Sequence, residues 1–232
     1  MLLFGTSYRW LPRQTAWRVV LLAAPLFMAR AAHAQPTDLI ISQYLEGSTG
    51  TNKYIELYNG TGASINLADY DLRLYTNGSP TPSQTATLTG TLASGTTIVY
   101  GNSAGTLFPA FTALDAICNF NGDDAVVLWN NQTTSYVDIF GNISVDPGTA
   151  WTSGSLSTAN QSLVRNPNIC SGVTVNPSGS GPTSFTTLGS EWTNAGTDNV
   201  SGLGSHTMTC GPTVNFNTAT GSALENTGPA TV

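Results

Sequence analysis

The acidic loop at residues 119–124 holds the side chains best suited to bind a metal ion. It reads Asn-Phe-Asn-Gly-Asp-Asp, and carboxylate and carbonyl oxygens are the ligands that Ca²⁺ prefers. Its spacing is not that of an EF-hand loop. A turn in which Asp123 or Asp124 accepts hydrogen bonds from backbone amides explains the same residues more simply. Both interpretations stay open, with Asp123 and Asp124 as the candidate Ca²⁺ ligands.

Glu46 and Glu56 are the two carboxylates that could act together, because glycosidases use an acid and a base about 5–10 Å apart. The sequence favours a simpler interpretation. Glu56 alternates with apolar residues, which places it on a solvent-exposed strand face or against the adjacent turn, and Glu46 belongs to that turn. A glycosidase is therefore not the expected function.

His206 is the one histidine after residue 34. Nucleophilic catalysis and zinc binding need a histidine beside further functional groups, and one histidine with three scattered cysteines matches no zinc spacing. We interpret His206 as a hydrogen-bonded surface residue. The sequence thus predicts no catalytic residue, and no cofactor unless the acidic loop binds Ca²⁺.

The first 34 residues are predicted to be a secretory signal. Arg9, Arg13 and Arg18 precede an apolar run at residues 19–29, and Ala-His-Ala at 32–34 forms a small-x-small cleavage site. The run is shorter than the ~20 residues needed to cross a bilayer, and no later segment is apolar enough. We therefore expect cleavage at about Ala34 and a mature protein in the periplasm, on the cell surface or in the medium.

Signal removal leaves an acidic chain. Its basic residues would be Lys53, Arg73 and Arg165 against all 13 acidic residues, a formal charge of −10. Phosphate backbones need clustered cations, so direct nucleic-acid binding is not expected. Anionic membrane surfaces would repel the same charge.

Three cysteines in an oxidising compartment suggest one disulfide and one remaining thiol. Cys170 and Cys210 flank a segment rich in glycine, serine and proline, and we predict that they form the disulfide. Cys118 lies in an apolar stretch and is expected to be a small buried residue.

The chain after residue 36 is predicted to be all-β and to form a sandwich of two sheets. Short apolar runs recur every 8–15 residues or so, separated by pairs such as Asn59-Gly60 and Asn77-Gly78. In residues 53–58 we expect one face in the core and one in solvent. The predicted strands are residues 38–45, 53–58, 65–67, 70–76, 85–92, 96–100, 113–120, 125–129 and 136–140.

Two further expectations concern strand pairing. Residues 85–92 and 96–100 are predicted to form a hairpin through Ala-Ser-Gly at 93–95. Residues 141–184 are predicted to be a loop region carrying one edge strand at 161–165, with 191–204 as a closing segment.

Six segments carry a resemblance to a known family. They include Leu-Ile-Ile-Ser-Gln-Tyr at 39–44, Lys-Tyr-Ile-Glu-Leu-Tyr-Asn at 53–59 and Asn-Leu-Ala-Asp-Tyr-Asp-Leu at 66–72, together with residues 120–128, 136–141 and 161–165. This series resembles a lamin tail domain over residues 37–165, and more loosely to 206. The resemblance implies an immunoglobulin-like β-sandwich that binds or tethers, as in exported bacterial proteins where it often accompanies nucleases, phosphatases or other hydrolases. Because this chain has a signal and few basic residues, nuclear, filament and DNA-linked roles are not expected.

Residues 212–232 resemble the first strands of a Calx-beta domain, at Val-Asn-Phe 214–216 and Leu-Glu-Asn 224–226. In that family a glutamate at the position of Glu225 can help to bind Ca²⁺. The expected organisation is therefore a signal at 1–34, a lamin-tail-like sandwich at 35–206, and a linker with an incomplete Calx-beta-like segment at 207–232.

The sequence as a whole predicts an exported, non-catalytic module that binds or tethers an extracellular protein or polysaccharide. One alternative is the N-terminal accessory part of a secreted nuclease or phosphatase whose catalytic domain lies outside this chain. Another is a fragment of a cell-surface adhesin stiffened by Ca²⁺.

Overall fold

Short β-strands make up most of the ordered framework in the computed structural model, which describes residues 36–210. The predicted signal at 1–34 and residues 211–232, including Glu225 and the whole Calx-beta-like stretch at 212–232, lie outside the described residues. The strands are β1 (Ile40–Glu46), β2 (Lys53–Tyr58), β3 (Ile65–Asn66), β4 (Tyr70–Tyr75), β5 (Gln84–Thr87), β6 (Thr91–Leu92), β7 (Thr97–Gly101), β8 (Thr112–Ala113), β9 (Ala125–Asn130), β10 (Ser135–Phe140), β11 (Thr152–Ser153), β12 (Leu156–Ser157), β13 (Ser162–Arg165) and β14 (Trp192–Gly196). A 3-10 turn (Leu67–Asp69) precedes β4, and one helical turn, α1 (Leu188–Glu191), precedes β14.

Two larger sheets organise the fold. The first has six strands in the order β14-β13-β1-β2-β7-β8, and the second has four in the order β10-β9-β4-β5. All pairs in them are antiparallel except β7 with β8. The pairs β11–β12 and β3–β6 form two small additional sheets. The prediction of an all-β, two-sheet sandwich is confirmed.

The core lies between the facing sides of the two sheets. Ile55 and Leu57 of β2 meet Leu72 and Leu74 of β4 in one continuous apolar cluster, as expected when alternate residues of each strand point to the same side. Burying a side chain of this size stabilises the fold by about 1.5–3 kcal/mol.

A buried ion pair also connects the two sheets. The two terminal guanidinium nitrogens of Arg165 on β13 lie 3.0 and 3.1 Å from the two carboxylate oxygens of Asp138 on β10, and both side chains have 0% exposure. Asp138 accepts two more hydrogen bonds, from the backbone N–H groups of Ile41 and Val173, each at 2.8 Å. The guanidinium also lies over the Trp192 ring, 4.7 Å from its centroid. Both oxygens of the Asp138 carboxylate therefore have hydrogen-bond partners inside the fold.

Several strand predictions are confirmed and others are wrong. Residues 53–58, 125–129 and 136–140 form strands as expected. The predicted hairpin of 85–92 with 96–100 does not form, because β5 pairs with β4 whereas β7 pairs with β2.

Two other assignments also need correction. The strand predicted at residues 113–120 is reduced to the end of β8, followed by a turn in which Cys118 N–H donates to the Leu114 carbonyl. The strand near 161–165 is interior, since β13 pairs with β1 on one side and β14 on the other. In both cases the local residue pattern carries no information about the distant partner that decides the pairing.

The face of the six-stranded sheet that points away from the other sheet is covered, although the sequence predicted that it contacts solvent. Two segments cover it: the aromatic loop, residues 105–111, and the strap, residues 198–206. Between the segments and the sheet lies a second apolar cluster, formed by Leu45, Tyr54, Val99 and Leu203 with Leu107, Phe108, Phe111 and Val200 packed against it. Glu56 on this face has 0% exposure rather than contacting solvent.

The cysteines occupy two different environments. Cys170 and Cys210 form a disulfide with a Cα–Cα separation of 5.8 Å, and Cys118 is a buried thiol with 0% exposure. Burial raises the pKa of Cys118 far above its ordinary value, and a thiol reacts through its thiolate.

We therefore expect no thiol to react with Ellman's reagent in the unreduced native protein at neutral pH. One thiol per chain should appear after denaturation without reductant, measured by absorbance against a fully reduced sample. Three reactive thiols in the denatured, unreduced chain would contradict the disulfide, and rapid native labelling would contradict the burial of Cys118.

Among residues 36–210, no helix is both long enough and apolar enough to span a membrane.

Candidate functional site

A cleft of about 410 Å³ opens beside the edge of the six-stranded sheet. It is lined by residues 97–99 of β7, by residues 108–112, and by Gly204 of the strap. Most lining side chains are apolar or hydroxyl-bearing, and none carries a charge. The cleft thus suits contact with an uncharged surface better than bond-making chemistry.

The aromatic loop that forms one wall is anchored on β2 and on Asn52, the residue before it. The Asn52 side-chain oxygen accepts hydrogen bonds from the N–H groups of Thr106 and Leu107, at 2.8 and 3.2 Å. The Tyr54 hydroxyl accepts a third, from Phe108 N–H at 3.3 Å, and the Tyr54 ring meets the Phe111 ring edge to face at 5.5 Å. The phenylalanine wall is therefore held in place by the sheet beneath it.

Gly101 explains how closely this wall approaches the sheet. A Cβ at that position would lie 2.7 Å from the Tyr54 ring and 2.8 Å from the Phe111 ring. A larger residue would push the loop away from the sheet.

Glu56 lies below the strap and anchors it. Its carboxylate accepts hydrogen bonds from Ser42 Oγ at 2.7 Å and from the Gly204 N–H at 2.6 Å. Burial raises the pKa of Glu56 to about 7, although hydrogen bonds from Ser42, Gly204, Ser205 and Thr97 oppose the shift. The group therefore changes protonation near neutral pH while holding one wall of the cleft.

The two carboxylates considered for a glycosidase do not face each other. Leu45 points to the outer cluster and Tyr44 to the inner core, so the alternation of β1 directs Glu46 to the inner side. Glu46 pairs there with Lys53 at 3.3 Å, whereas Glu56 lies on the outer side under the strap. The placement of Glu46 in a turn is also wrong, because it is the last residue of β1.

The acidic loop uses one of its aspartates for backbone hydrogen bonds. Asp124 is 1% exposed, and its two oxygens accept from Asn77 N–H at 2.9 Å and from Asn121 N–H at 2.8 Å. Asp123 is half-buried, and burial raises its pKa. No group of three or more His, Cys, Asp or Glu side chains arranged to hold a metal occurs among residues 36–210. Ca²⁺ binding by Asp123, Asp124 and Glu225 stays a prediction, with Glu225 outside the described residues.

Replacing Asp124 with alanine should lower the free energy of unfolding by about 2 kcal/mol, because the backbone N–H groups of Asn77 and Asn121 lose a buried, charged acceptor. Asp123→Ala is the matched control and should lower it by less, since it interrupts neither bond. Urea denaturation followed by tryptophan fluorescence measures both. Equal losses in the two variants would contradict the structural role given to Asp124.

His206 does not form the expected surface hydrogen bonds. It is half-buried with its ring 5.0 Å from that of Tyr58, and Nε2 has no hydrogen-bond partner among the described residues. Burial, with a smaller contribution from the charge of Arg165, lowers the pKa of His206 to about 4. The imidazole is therefore neutral at physiological pH and packs as a ring.

One motif escaped the sequence analysis. Residues 101–105 read Gly-Asn-Ser-Ala-Gly, which matches the nucleophile elbow G-x-S-x-G. That elbow requires a strand-to-helix turn and a histidine base, but here β7 leads into a turn and Ser103 Oγ donates to Asp115 Oδ2 at 2.9 Å. Ser103 is thus part of a surface turn rather than a nucleophile.

The cleft itself was also missed by the sequence analysis. The available signal was the Phe-Pro-Ala-Phe run at 108–111, two aromatic residues beside a proline in a segment otherwise rich in glycine and serine.

The fold and the site together define an immunoglobulin-like β-sandwich with an uncharged surface cleft. Residues 32–144 match the family model of the Lamin Tail Domain. Over this segment, just under half of the chain, the sequence is similar to the lamin tail domain family, a non-catalytic family of immunoglobulin-like binding modules, and the resemblance seen in the sequence is confirmed. The search of curated proteins gave no match.

The matched segment does not contain the whole sandwich. It ends after β10, so β13, β14 and the strap lie beyond it. The cleft accordingly combines residues 97–112 inside the match with Gly204 outside it.

Proposed function

We propose that this chain is an exported, non-catalytic module that binds or tethers an extracellular partner through the cleft beside β7. The observation that carries the proposal is the composition of the cleft: two phenylalanines, a proline and small residues on an anchored loop, with no charged lining residue. Half-buried aromatic side chains in a pocket are typical anchors of binding sites. The match of residues 32–144 to a binding-type family supports the same function.

Non-catalysis is further supported by the use of the polar residues inside the fold. Glu46 is paired with Lys53, Asp138 with Arg165, and Glu56 with the strap. Each of these carboxylates therefore has a structural partner. Export is proposed on the predicted signal at residues 1–34.

The proposal can be tested by filling the cleft. Ala110 is an exposed lining residue, so Ala110→Arg should obstruct the cleft without disturbing the core. The matched control is Ala68→Arg, at an exposed position in the 3-10 turn before β4.

Purified protein and both variants would be applied to glycan arrays and to immobilised extracellular proteins of the source culture. We expect wild type and Ala68→Arg to bind the same targets and Ala110→Arg to bind them at least about tenfold more weakly. Absence of binding to every target would overturn the function, and equal binding by all three proteins would overturn the assignment to the cleft.

A further inference from the structure

The backbone of β7 offers hydrogen-bonding groups on the side that faces away from β2. Asn59 N–H donates to the Thr96 carbonyl at 3.0 Å, and Asn102 N–H donates to the Lys53 carbonyl at 3.2 Å. Antiparallel pairing alternates hydrogen-bonded and non-bonded positions, so even-numbered residues of β7 bond β2. The N–H and C=O groups of Thr97, Val99 and Gly101 consequently point to the opposite side.

β8 uses only part of this free side. It is parallel to β7 and pairs Thr112 with Tyr100 and Ala113 with Gly101, after which Leu114 N–H donates to the Gly101 carbonyl at 2.9 Å. Residues before Thr112 leave the edge and form the aromatic loop. Among residues 36–210, no strand pairs with Thr97 or Ile98 on this side.

A cleft lies beside this open edge, whereas the edge at β10 is covered. At β10, Gly172 approaches the Val137 carbonyl too closely for even a Cβ to fit, so another chain segment already covers that edge. At β7, the cleft runs along residues 97–99, with Phe108 and Phe111 in its walls.

We infer that the open edge of β7 is a strand-addition site for an extended segment of a partner protein. The segment would hydrogen-bond to the Thr97 backbone and place one aromatic or large aliphatic side chain between Phe108 and Phe111. In such sites the main-chain hydrogen bonds supply affinity, and pockets for alternate side chains supply specificity. The inference rests on the proposed binding function, and it specifies the β7 edge as the binding surface and an extended protein segment as the ligand.

Charge complementarity indicates that the partner segment is neutral or basic. Lys53 and Arg165 are 3% and 1% exposed, and Arg73 pairs with Asp71 at 3.1 Å while its guanidinium lies over Trp129. All three basic residues of the described chain are therefore engaged internally.

The exposed charges of the described chain are accordingly carboxylates. One of them, Asp115, lies beyond the C-terminal end of β7, where it accepts hydrogen bonds from Ser103, so the negative charge near the cleft is that of the surface as a whole. An acidic segment would be repelled, whereas a lysine or arginine next to the anchoring side chain would be attracted.

The test uses a synthetic probe: a lysine-flanked peptide of alternating threonine and valine around one central phenylalanine. Its binding to the purified chain would be followed by fluorescence anisotropy and by ¹⁵N–¹H NMR of the Thr97 and Val99 amides. A version N-methylated at alternate residues removes main-chain donors, and a glutamate-flanked version reverses the charge. N-methylation should weaken binding at least about tenfold, and glutamate flanks about fivefold.

Thr97→Pro is the informative variant of the protein. Proline removes the outward N–H of Thr97 but no hydrogen bond to β2, because that N–H points away from β2. Ala68→Arg, at an exposed position outside the cleft, is the control. We expect Thr97→Pro to bind the probe at least about tenfold more weakly and Ala68→Arg to bind it as wild type does. If Thr97→Pro lowers the melting temperature, the test uses Ala110→Arg instead, because that variant obstructs the same cleft.

Two results with the peptide probe would overturn the inference: full binding of the N-methylated probe, or no probe binding while the arrays still give a ligand. The second result would leave the proposed function intact, whereas failure of both the probe and the arrays would reject both. The inference would also be overturned if wild type sedimented as a dimer and Thr97→Pro as a monomer, because a second copy of the chain would then occupy the edge.

Discussion

Asp138→Ala is expected to lower the free energy of unfolding by about 3–5 kcal/mol, because it leaves Arg165 charged, buried and without its main partner. The carboxylate makes four contacts at 2.8–3.1 Å, two with the guanidinium and two with the backbone N–H groups of Ile41 and Val173. After the substitution, Glu191 is the remaining carboxylate near Arg165, at 3.3 Å. Urea denaturation at neutral pH measures the loss.

Asp146→Ala is the matched control. Asp146 is exposed, and its side chain accepts a local hydrogen bond from Gly148 N–H at 2.7 Å, so the loss of unfolding free energy should stay within about 0.5 kcal/mol. The loss of unfolding free energy in Asp138→Asn should lie between those of the two alanine variants, because the amide keeps one acceptor oxygen but not the charge. A loss below about 1 kcal/mol in Asp138→Ala would show that the two sheets do not depend on this ion pair.

Glu56 is expected to make the protein less stable as pH rises from about 4.5 to about 7. The folded carboxyl keeps its proton up to a pKa of about 7, whereas the ordinary value is 4.5. Between these values the folded state binds more protons than the unfolded state, so the free energy of unfolding falls with increasing pH. The full shift corresponds to about 3 kcal/mol, and Glu56→Gln should remove it.

The measurement is the difference in stability between wild type and Glu56→Gln across this pH range. A difference is needed because the lowered pKa of His206 acts in the opposite direction in both proteins: stability rises as pH increases from about 4 to 6.5. The stability of wild type relative to Glu56→Gln should decline steadily up to pH 7 and then level off. A difference that stays constant across the range would contradict the protonated, buried state of Glu56.

Local sequence patterns were sufficient to predict several elements. Residues 53–58 alternate apolar and polar side chains and form β2, with bounds as predicted. The turn after β4 was also predictable, because Asn77 and Gly78 adopt positive φ values of 49° and 69°, which asparagine and glycine tolerate best.

Strand partners and the covered outer face could not be predicted in this way. β5 and β7 are close in sequence but pair in different sheets, since pairing depends on which distant strand shares the complementary buried face. Glu56 looked like a solvent-facing residue because its covering group, Gly204, lies 148 residues further along the chain. The cleft could not be predicted for the same reason, because its walls come from β7, the aromatic loop and the strap, and the strap is far from the other two in sequence.

The buried charges were equally hidden from local reasoning. Nothing adjacent to Arg165 in sequence identifies Asp138 as its partner, and a lone arginine in a strand is usually solvent-exposed. The structure shows that two of the three basic residues in the described chain are nearly fully buried, and this reverses the usual interpretation of a polar strand position.

The central claim, that this module binds without catalysing, is tested most directly by a turnover assay. The purified chain would be incubated with a chromogenic phosphodiester and a chromogenic glycoside, alongside Glu56→Gln as the matched variant. We expect hydrolysis at the buffer rate for both proteins and both substrates. Turnover by wild type at an ordinary enzymic rate, lost in Glu56→Gln, would contradict the claim.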